Sequence, residues 1–393
     1  FFFKQKTAYE IRIRDWSSDV CSSDLPDRVL TEGSLRLEGE RIAEVREGFV
    51  PSGMDLRGFT VVPGLVDLHG DSLERELEPR PGVRLPLELA LPSWELRQLA
   101  AGITTVYATV AFWEGAGGVR EPDQGLRLAQ ELWGLRSALH VDLRIHARYE
   151  VSRPQGEPAV REALRKGWVH LLSFMDHTPG QGQFHDLETY VRYMARHHGR
   201  PEAEVYDEVK RLSTRATWEG LEALAAEALA KSIPLASHDD DTPDRVALMA
   251  RLGVTVSEFP VRLEAAKEAK VRGMTVVMGA PNALRGGSHH GNLSALDALR
   301  EGLLDALATD YLPEAALRAP FRLAAQGLLD LPLALALVTR RPALAVGLAD
   351  RGALAPGLRA DLVVLKESPF SVLGAFVAGK PVFVGGELAH ALA

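Results

Sequence analysis

From about residue 60 to residue 340, short apolar runs that are typical of buried strands alternate with helical segments. Such alternation indicates repeated βα units around a parallel sheet. An open doubly wound sheet would show the same alternation, so the number of strands is the discriminator. Eight parallel strands close a (β/α)8 barrel of the TIM type, which is the fold that we predict. The strand ends that we assign lie near His69, Ala111, Glu150, His177, His238, Pro260, Ala280 and Asp310.

Both ends of the chain carry short strand-like runs of a different kind. Alternating runs at 33–39 and 41–45 meet at a Gly-Glu turn, and runs at 360–365, 371–377 and 380–384 are separated by turn residues. We predict a small β-sandwich domain formed by both chain ends. Its parts are residues 26–60 and 346–393, and they bracket a hydrolase barrel at 61–345.

The first 25 residues share neither pattern nor composition with the rest of the chain. They resemble translated sequencing-adapter read-through, and we expect residues 1–25 to be a non-native segment outside the fold. The alternative is a genuine disordered or targeting extension, although a secretory signal would need a basic region followed by a sustained apolar one. The single cysteine, Cys21, lies in this segment, so we expect no disulfide and a cytoplasmic protein.

Charge and hydropathy limit the partners of the chain. A net charge of -8 argues against a nucleic-acid surface, which would be basic overall. We also find no apolar run as long as a membrane span. We therefore expect a small-molecule substrate and neither nucleic acid nor membrane as a partner, and we leave open a homo-oligomer. An anionic substrate would require a local basic pocket.

Side chains of the metal-ligand type stand at the carboxyl ends of several predicted strands, which form the catalytic face of a barrel. The candidate ligands are His69, Asp71, Glu150, His177, His238 and Asp310. Imidazole nitrogen and carboxylate oxygen suit divalent ions, and we predict two, zinc, manganese or similar. Asp310 is also the candidate catalytic residue, as proton acceptor for a bound water. The alternatives are buried structural histidines and an ion pair between Arg148 and Glu150; we expect His140, His146, His170 and His390 to be structural or surface residues.

A glycine-rich loop near residue 286 predicts a phosphate cradle, because glycine lets backbone N–H groups approach a ligand closely. The helix expected from about Leu293 to Leu303 would add its positive N-terminal end. A generic turn is the alternative. Guanidinium groups elsewhere offer further phosphate contacts. The substrate-binding candidates are Arg80, Arg84, Arg148, Asn282, Arg285, Gly286, Gly287, Ser288 and His289.

Several stretches of the chain match a known family; they include PGLVDLHGD, EPRPGVR, LLSFMDHTPGQGQF, LASHDDDTP, VVMGAPNALRGGSHHGN and ATDYLP. With these stretches the chain resembles the amidohydrolase superfamily and, within it, the phosphonate-metabolism diphosphatases of the carbon-phosphorus lyase pathway. The resemblance implies a metal-dependent hydrolase that cleaves alpha-D-ribose 1-methylphosphonate 5-triphosphate to the 5-phosphate and pyrophosphate. Many superfamily members have His-x-His where this chain has His69-x-Asp71. The alternatives are an amidohydrolase acting on an amide or ring C–N bond and a non-catalytic barrel scaffold.

Overall fold

The structure is a computed structural model that describes residues 8–13, 28–48, 53–80, 82–178, 187–212, 220–288 and 291–392. The strands in this part of the chain are β1 (Ala8–Ile13), β2 (Gly33–Glu38), β3 (Arg41–Glu47), β4 (Met54–Asp55), β5 (Thr60–Pro63), β6 (Leu65–Gly70), β7 (Ile103–Phe112), β8 (Asp142–Glu150), β9 (Leu171–Met175), β10 (Leu235–His238), β11 (Val256–Glu258), β12 (Thr275–Gly279), β13 (Ala306–Ala308), β14 (Leu362–Glu367), β15 (Phe370–Val377) and β16 (Lys380–Val384). The helices are α1 (Ser72–Leu77), α2 (Leu87–Ala100), α3 (Pro122–Leu135), α4 (Glu157–Arg165), α5 (Leu187–His198), α6 (Glu202–Leu212), α7 (Leu221–Ala230), α8 (Pro243–Arg251), α9 (Leu263–Val271), α10 (Ala280–Arg285), α11 (Ala295–Arg300), α12 (Ala315–Ala325), α13 (Leu331–Ala336), α14 (Arg340–Ala345) and α15 (Gly386–Leu392).

The strands β6 to β13 form the central sheet, in which each strand pairs in parallel with the next along the chain. The two outer strands also meet, because Asp71 N donates to Asp310 O at 2.7 Å and Asp310 N donates to His69 O at 2.8 Å. A parallel bridge joins Gly70 to Asp310 at the same point. The predicted TIM-type barrel is thereby confirmed.

Local sequence explains why these segments take these forms. The ten residues of β7 are all buried, as expected for a strand covered by helices outside and side chains inside the barrel. The helix α8 begins with Pro243 after Thr242, whose side chain accepts a hydrogen bond from Arg245 N at 3.2 Å. Both features agree with the N-cap preference of threonine and the fixed φ of proline.

The small domain contains two four-stranded sheets, ordered β3-β2-β1-β4 and β16-β15-β14-β5. Their shared core includes Leu35 and Leu37 from β2, Leu362 and Val364 from β14, and Phe376 from β15. The predicted β-sandwich from both chain ends is therefore confirmed. The strand β5, next to the barrel, belongs to this domain. The strand β1 lies within the segment that we expect to be outside the fold, and it pairs with β2 and β4. The domain limits and the origin of residues 1–25 stay predictions.

A buried arginine fastens the C-terminal part of the chain to the barrel. Arg351 Nη1 donates to Thr105 Oγ1 at 2.9 Å on β7 and also to Asp142 at the start of β8. Arg359 Nη1 reaches the same carboxylate at 3.0 Å. These contacts lie at the amino end of the strands, opposite the face with the candidate ligands. In the part of the chain that the structure describes, none of the helices combines the length and apolar character needed to cross a membrane.

Candidate active site

A cavity of about 260 Å³ lies at the carboxyl ends of the barrel strands. It brings together many of the residues predicted from the sequence. Those that line it are His69, Asp71, His177, His238, Asp310, Arg148, Asn282, Arg285 and Ser288. Five other predicted site residues do not line the cavity: Glu150, Arg80, Arg84, Gly286 and Gly287. Glu150 is fully buried, the two arginines are exposed, and the two glycines follow α10. His289 lies outside the described residues.

One group of potential ligands lies deep in the barrel and contains His69, His146 and Glu258, all fully buried; we call it the inner group. Each offers one ligand atom, and these atoms lie within 4.8 Å of one another. His69 Nδ1 is 3.2 Å from Glu258 Oε1, and His146 Nε2 is 3.7 Å from Glu258 Oε2. The inner group therefore presents two imidazoles to one carboxylate.

The protonation state of His146 suits a ligand. Its Nδ1 lies 3.0 Å from the Leu68 carbonyl oxygen, which can only accept, so Nδ1 carries the hydrogen. Burial lowers the pKa of His146 to about 3, so the ring is neutral. Its Nε2 consequently holds a lone pair and has no hydrogen-bond partner among the described residues. Histidines that bind metals commonly donate their other ring N–H to a carbonyl in this way.

A second group lies nearer the mouth of the cavity and contains His177, His238 and Asp239, with ligand atoms again within 4.8 Å of one another; we call it the outer group. Glu150 Oε2 accepts from His177 Nδ1 at 2.7 Å, so Nε2 is the ring nitrogen that remains for a cation. That nitrogen lies 3.9 Å from Asp239 Oδ2. Glu150 also accepts from the backbone N of His177 at 3.1 Å and from Ser152. Its contacts thus fix the orientation of His177.

The carboxylate of Asp71 is bound by protein groups. Both of its oxygens lie 3.0 Å from Arg148 Nη1, and Thr109 Oγ1 donates to it at 2.6 Å. Burial alone would raise the pKa of Asp71, but the charges of Arg148, His69 and Arg120 and the hydrogen bond with His69 together outweigh it and hold the pKa well below its ordinary value. The carboxylate also lies 3.3 Å from His69 Nε2. The sequence pair His69-x-Asp71 therefore includes a partner for Arg148 as well as a candidate ligand.

Asp310 lines the cavity beside Asp71, where the first and last barrel strands meet. Its φ of 54° is in the left-handed region, and its backbone is held by the two bonds that close the barrel. Burial, and then the nearby Asp71 carboxylate, raise the pKa of Asp310 to about 6. A carboxylate with such a pKa is suited to accept a proton near neutral pH.

The donor set fits divalent metal ions of the borderline type. Imidazole nitrogens and carboxylate oxygens are ligands that zinc and manganese accept. One buried ligand-type atom, His146 Nε2, lacks a hydrogen-bond partner in the described part of the chain, and His238 Nδ1 and Asp239 Oδ2 lie 3.2 Å apart with no other hydrogen-bond partner there. Buried polar atoms are normally satisfied, and a bound cation would satisfy lone pairs of this kind.

The predicted phosphate loop is arranged differently from the expectation. Gly286, at φ 79°, ends α10, and its N–H donates to Asn282 O at 3.1 Å. The next helix, α11, begins at Ala295, whose N–H donates to Asn282 Oδ1 at 3.0 Å. Ser294 caps the same helix by accepting from Asp297 N at 3.0 Å. Several N–H groups of the expected cradle are thus already used within the protein.

Residues of the site that are absent from the set predicted from the sequence include His146, Glu258, Asp239, Trp113 and Arg120. Alternation along β8 places His146 on the same side as Arg148 and Glu150, and this signal was available. The acidic Glu258 inside a buried strand was another. Trp113 directly follows β7, and its ring stacks on His177 with centroids 4.8 Å apart. Arg120, eight residues beyond that strand, has no local signal.

An eight-stranded barrel with imidazoles and carboxylates gathered at the carboxyl ends of its strands defines the class of metal-dependent barrel hydrolases. The chain belongs to the amidohydrolase family, which its residues 60–387 match. It is 37% identical over 369 residues to the alpha-D-ribose 1-methylphosphonate 5-triphosphate diphosphatase of Escherichia coli (strain K12), covering 90% of this chain and 97% of that protein.

Solved structures of other proteins share the fold. The N-acetyl-D-glucosamine-6-phosphate deacetylase from Mycobacterium smegmatis superposes with a TM-score of 0.63 at 20% identity, covering 95% of this chain and 99% of that one. A Xaa-Pro dipeptidase superposes with a TM-score of 0.64 at 17% identity, covering 96% and 100%. At such low identities, these likenesses establish the architecture alone.

Proposed function

We propose that the chain hydrolyses alpha-D-ribose 1-methylphosphonate 5-triphosphate to the 5-phosphate and pyrophosphate, as a step in phosphonate catabolism. The 37% identity to the Escherichia coli diphosphatase over almost the whole of both chains supports this substrate. The observation that carries the proposal is the composition of the cavity. It combines His69 of the inner group and the three residues of the outer group with the guanidinium groups of Arg120 and Arg285, the combination that a polyphosphate substrate requires.

Two divalent ions, zinc, manganese or similar, are part of the proposal. We assign one to the inner group and one to the outer group. His69, His177 and His238 keep the ligand role predicted from the sequence, and His146, Glu258 and Asp239 join them. Asp71 and Asp310 stay candidate ligands at the edge of the site. We give Glu150 a different role from the predicted one, because its contacts orient His177.

If bound by the inner and outer groups, divalent ions would supply a water with a pKa lowered toward ~7 and a Lewis acid for a phosphoryl oxygen. The carboxylate of Asp310 accepts the proton of the attacking water, since it faces the cavity beside the first strand. Arg148 keeps Asp71 ionised and in a fixed orientation. Glu150 holds the proton on His177 Nδ1, so that Nε2 faces the cavity as a lone-pair donor. Arg285, Asn282 and Ser288 form the wall that meets the substrate phosphates.

Removal of metal tests this proposal. After dialysis against a chelator, we expect pyrophosphate release from the substrate to be lost and to return when zinc or manganese is added. His238→Ala should lose the activity as well, whereas His140→Ala, which changes an exposed histidine, should retain it. Full activity of the chelated protein, or of the His238 variant, would overturn the proposal. A cytoplasmic location and assembly into a homo-oligomer stay predictions.

A further inference from the structure

We infer that Arg120 binds the polyphosphate chain of the substrate and that Glu74 is the residue that positions it. The inference rests on the proposed function in taking a polyphosphate as the ligand. Arg120 lies outside the glycine-rich loop, and it is not one of the arginines that the sequence suggests for phosphate binding. The contacts that each guanidinium group makes in and near the cavity distinguish Arg120 from those arginines.

Arg120 lines the cavity with a side chain that is 39% exposed. Its Nε and Nη2 donate to Glu74 Oε2 at 2.9 and 2.6 Å, and Glu74 is a largely buried residue of α1. Its Nη1 makes no hydrogen bond with any residue in the described part of the chain. A guanidinium held on one side by a buried carboxylate keeps a fixed direction and still offers donors to a phosphate oxygen.

The other arginines are less suited to this role. Arg148 is buried and committed, because Nη1 binds Asp71 and Nη2 lies 3.4 Å from His238 Nε2. Arg84 is exposed and donates to Gln124, and neither it nor Arg80 lines the cavity. Arg285 does line the cavity. Among the described residues that line the cavity, Arg120 and Arg285 are therefore the two arginines that do not form an ion pair with Asp71.

The barrel topology places these two arginines on either side of the reacting groups. Arg120 follows β7 and Arg285 follows β12, and these strands flank β6 and β13 in the closed sheet. The strands β6 and β13 lead to Asp71 and Asp310, which also line the cavity. A phosphate chain over the two carboxylates would be repelled by them, and a cation on each side offsets that repulsion.

The loop from Trp113 to Glu121 holds Arg120 in place. Trp113 N donates to Arg120 O at 2.9 Å, and the Glu121 side chain accepts from Gly117 N at 2.8 Å and from Gly115 N at 3.3 Å. The Trp113 ring stacks on His177 of the outer group, with an interplanar angle of 11°. The position of Arg120 is therefore tied to the outer group through its own loop, which favours a defined contact with substrate.

Binding of inorganic tripolyphosphate to the metal-loaded protein tests the inference apart from hydrolysis. The titration compares wild type with Arg120→Ala, Arg120→Lys and the control Arg127→Ala, an exposed arginine on α3. All proteins carry the same ion, and metal content is checked after each titration. We expect the Kd to rise roughly tenfold or more in Arg120→Ala, since hydrogen bonds to charged groups are worth this much. Arg120→Lys should be intermediate, because it keeps the charge without the fork, and Arg127→Ala should match wild type.

Steady-state kinetics with the phosphonate substrate test the role of Glu74. In Glu74→Gln we expect a higher KM with kcat nearly unchanged, because the arginine loses its orientation while the reacting groups are retained.

Equal Kd values for wild type and Arg120→Ala overturn the inference, as does a wild-type protein that fails to bind tripolyphosphate. If Arg120→Ala does not fold, equal binding by wild type and Arg120→Lys overturns it. A wild-type protein that binds tripolyphosphate, and binds it more weakly once Arg120 is replaced by alanine, but does not hydrolyse the phosphonate substrate would instead refute the proposed function and leave this inference standing.

Discussion

At the scale of single residues, His146 is a ligand-type residue that the structure places in the inner group, whereas its position in the sequence predicts a structural or surface residue. It lies in the middle of β8 rather than at its end, so a search of strand ends passes over it. The barrel brings it to Glu258, more than a hundred positions further along the chain. Such a meeting depends on the packing of strands that are distant in sequence, which no local pattern reports.

Replacement of His146 tests the inner group. We expect His146→Gln to reduce the amount of zinc or manganese retained per chain after dialysis, because the inner group loses one of its two imidazoles. The matched control is His170→Gln, whose ring accepts from Ile145 N at 3.0 Å away from the cavity. Elemental analysis of both variants gives the answer. Equal metal content in the two would exclude His146 as a ligand.

Glu150 provides a second test at this scale. Its Oε2 accepts from His177 Nδ1 at 2.7 Å, and groups that orient a ligand in this way commonly change metal affinity by about 10- to 100-fold. We expect Glu150→Gln to weaken the retention of one ion by that order, as measured by competition with a chelator. Loss of both ions from the variant, or of neither, would contradict the role of Glu150 in orienting His177.

At the scale of secondary structure, the sequence predicted the barrel well. Apolar runs and their ends are local properties, so all eight strand positions were available from the chain, including the strand that leads to His177. The helix after the glycine-rich loop was expected from Leu293 and begins at Ala295. Its N–H groups are used by Asn282 and Ser294, a detail that depends on how α10 and α11 pack.

The buried carboxylate of Asp67 helps to close the barrel, and its contribution to stability can be tested. Asp67 of β6 accepts from Thr309 N at 2.9 Å and from Thr309 Oγ1 at 2.5 Å. We expect Asp67→Ala to lower the free energy of unfolding by about 2 kcal/mol, since it leaves buried donors without a partner. Urea denaturation of the metal-free protein measures this. Asp123→Ala, at an exposed position of α3, is the control, and an equal midpoint for the two variants would contradict this account of closure.

At the scale of the whole molecule, a charge network joins the small domain's C-terminal part to the base of the barrel. The Asp142 carboxylate forms ion pairs with Arg351 and Arg359, which lie before β14. It also forms an ion pair with Arg144 of its own strand. Burial alone would raise the pKa of Asp142, but the charges of Arg144 and Arg351 outweigh it and lower the pKa below its ordinary value. The network therefore stabilises the fold only while Asp142 is ionised.

This network predicts a specific dependence on pH. A carboxylate with a lowered pKa contributes stability above its unfolded pKa of about 4, and that contribution is lost as the pH falls through the folded value. We expect Asp142→Asn to be less stable than wild type by roughly 2 kcal/mol at neutral pH. The difference should narrow as the pH is lowered from about 5 to about 3. Thermal melting across this range measures it, and a constant difference would refute the role of the charge.

The measurement that tests the central claim most directly is the choice of substrate. The metal-loaded protein is offered alpha-D-ribose 1-methylphosphonate 5-triphosphate and, separately, plain nucleoside triphosphates, and pyrophosphate is followed. We predict pyrophosphate in the same amount as phosphonate substrate consumed, with a kcat/KM higher by roughly tenfold or more than for any nucleoside triphosphate. Equal turnover of the nucleotides, or cleavage of an amide bond without pyrophosphate release, would contradict the account.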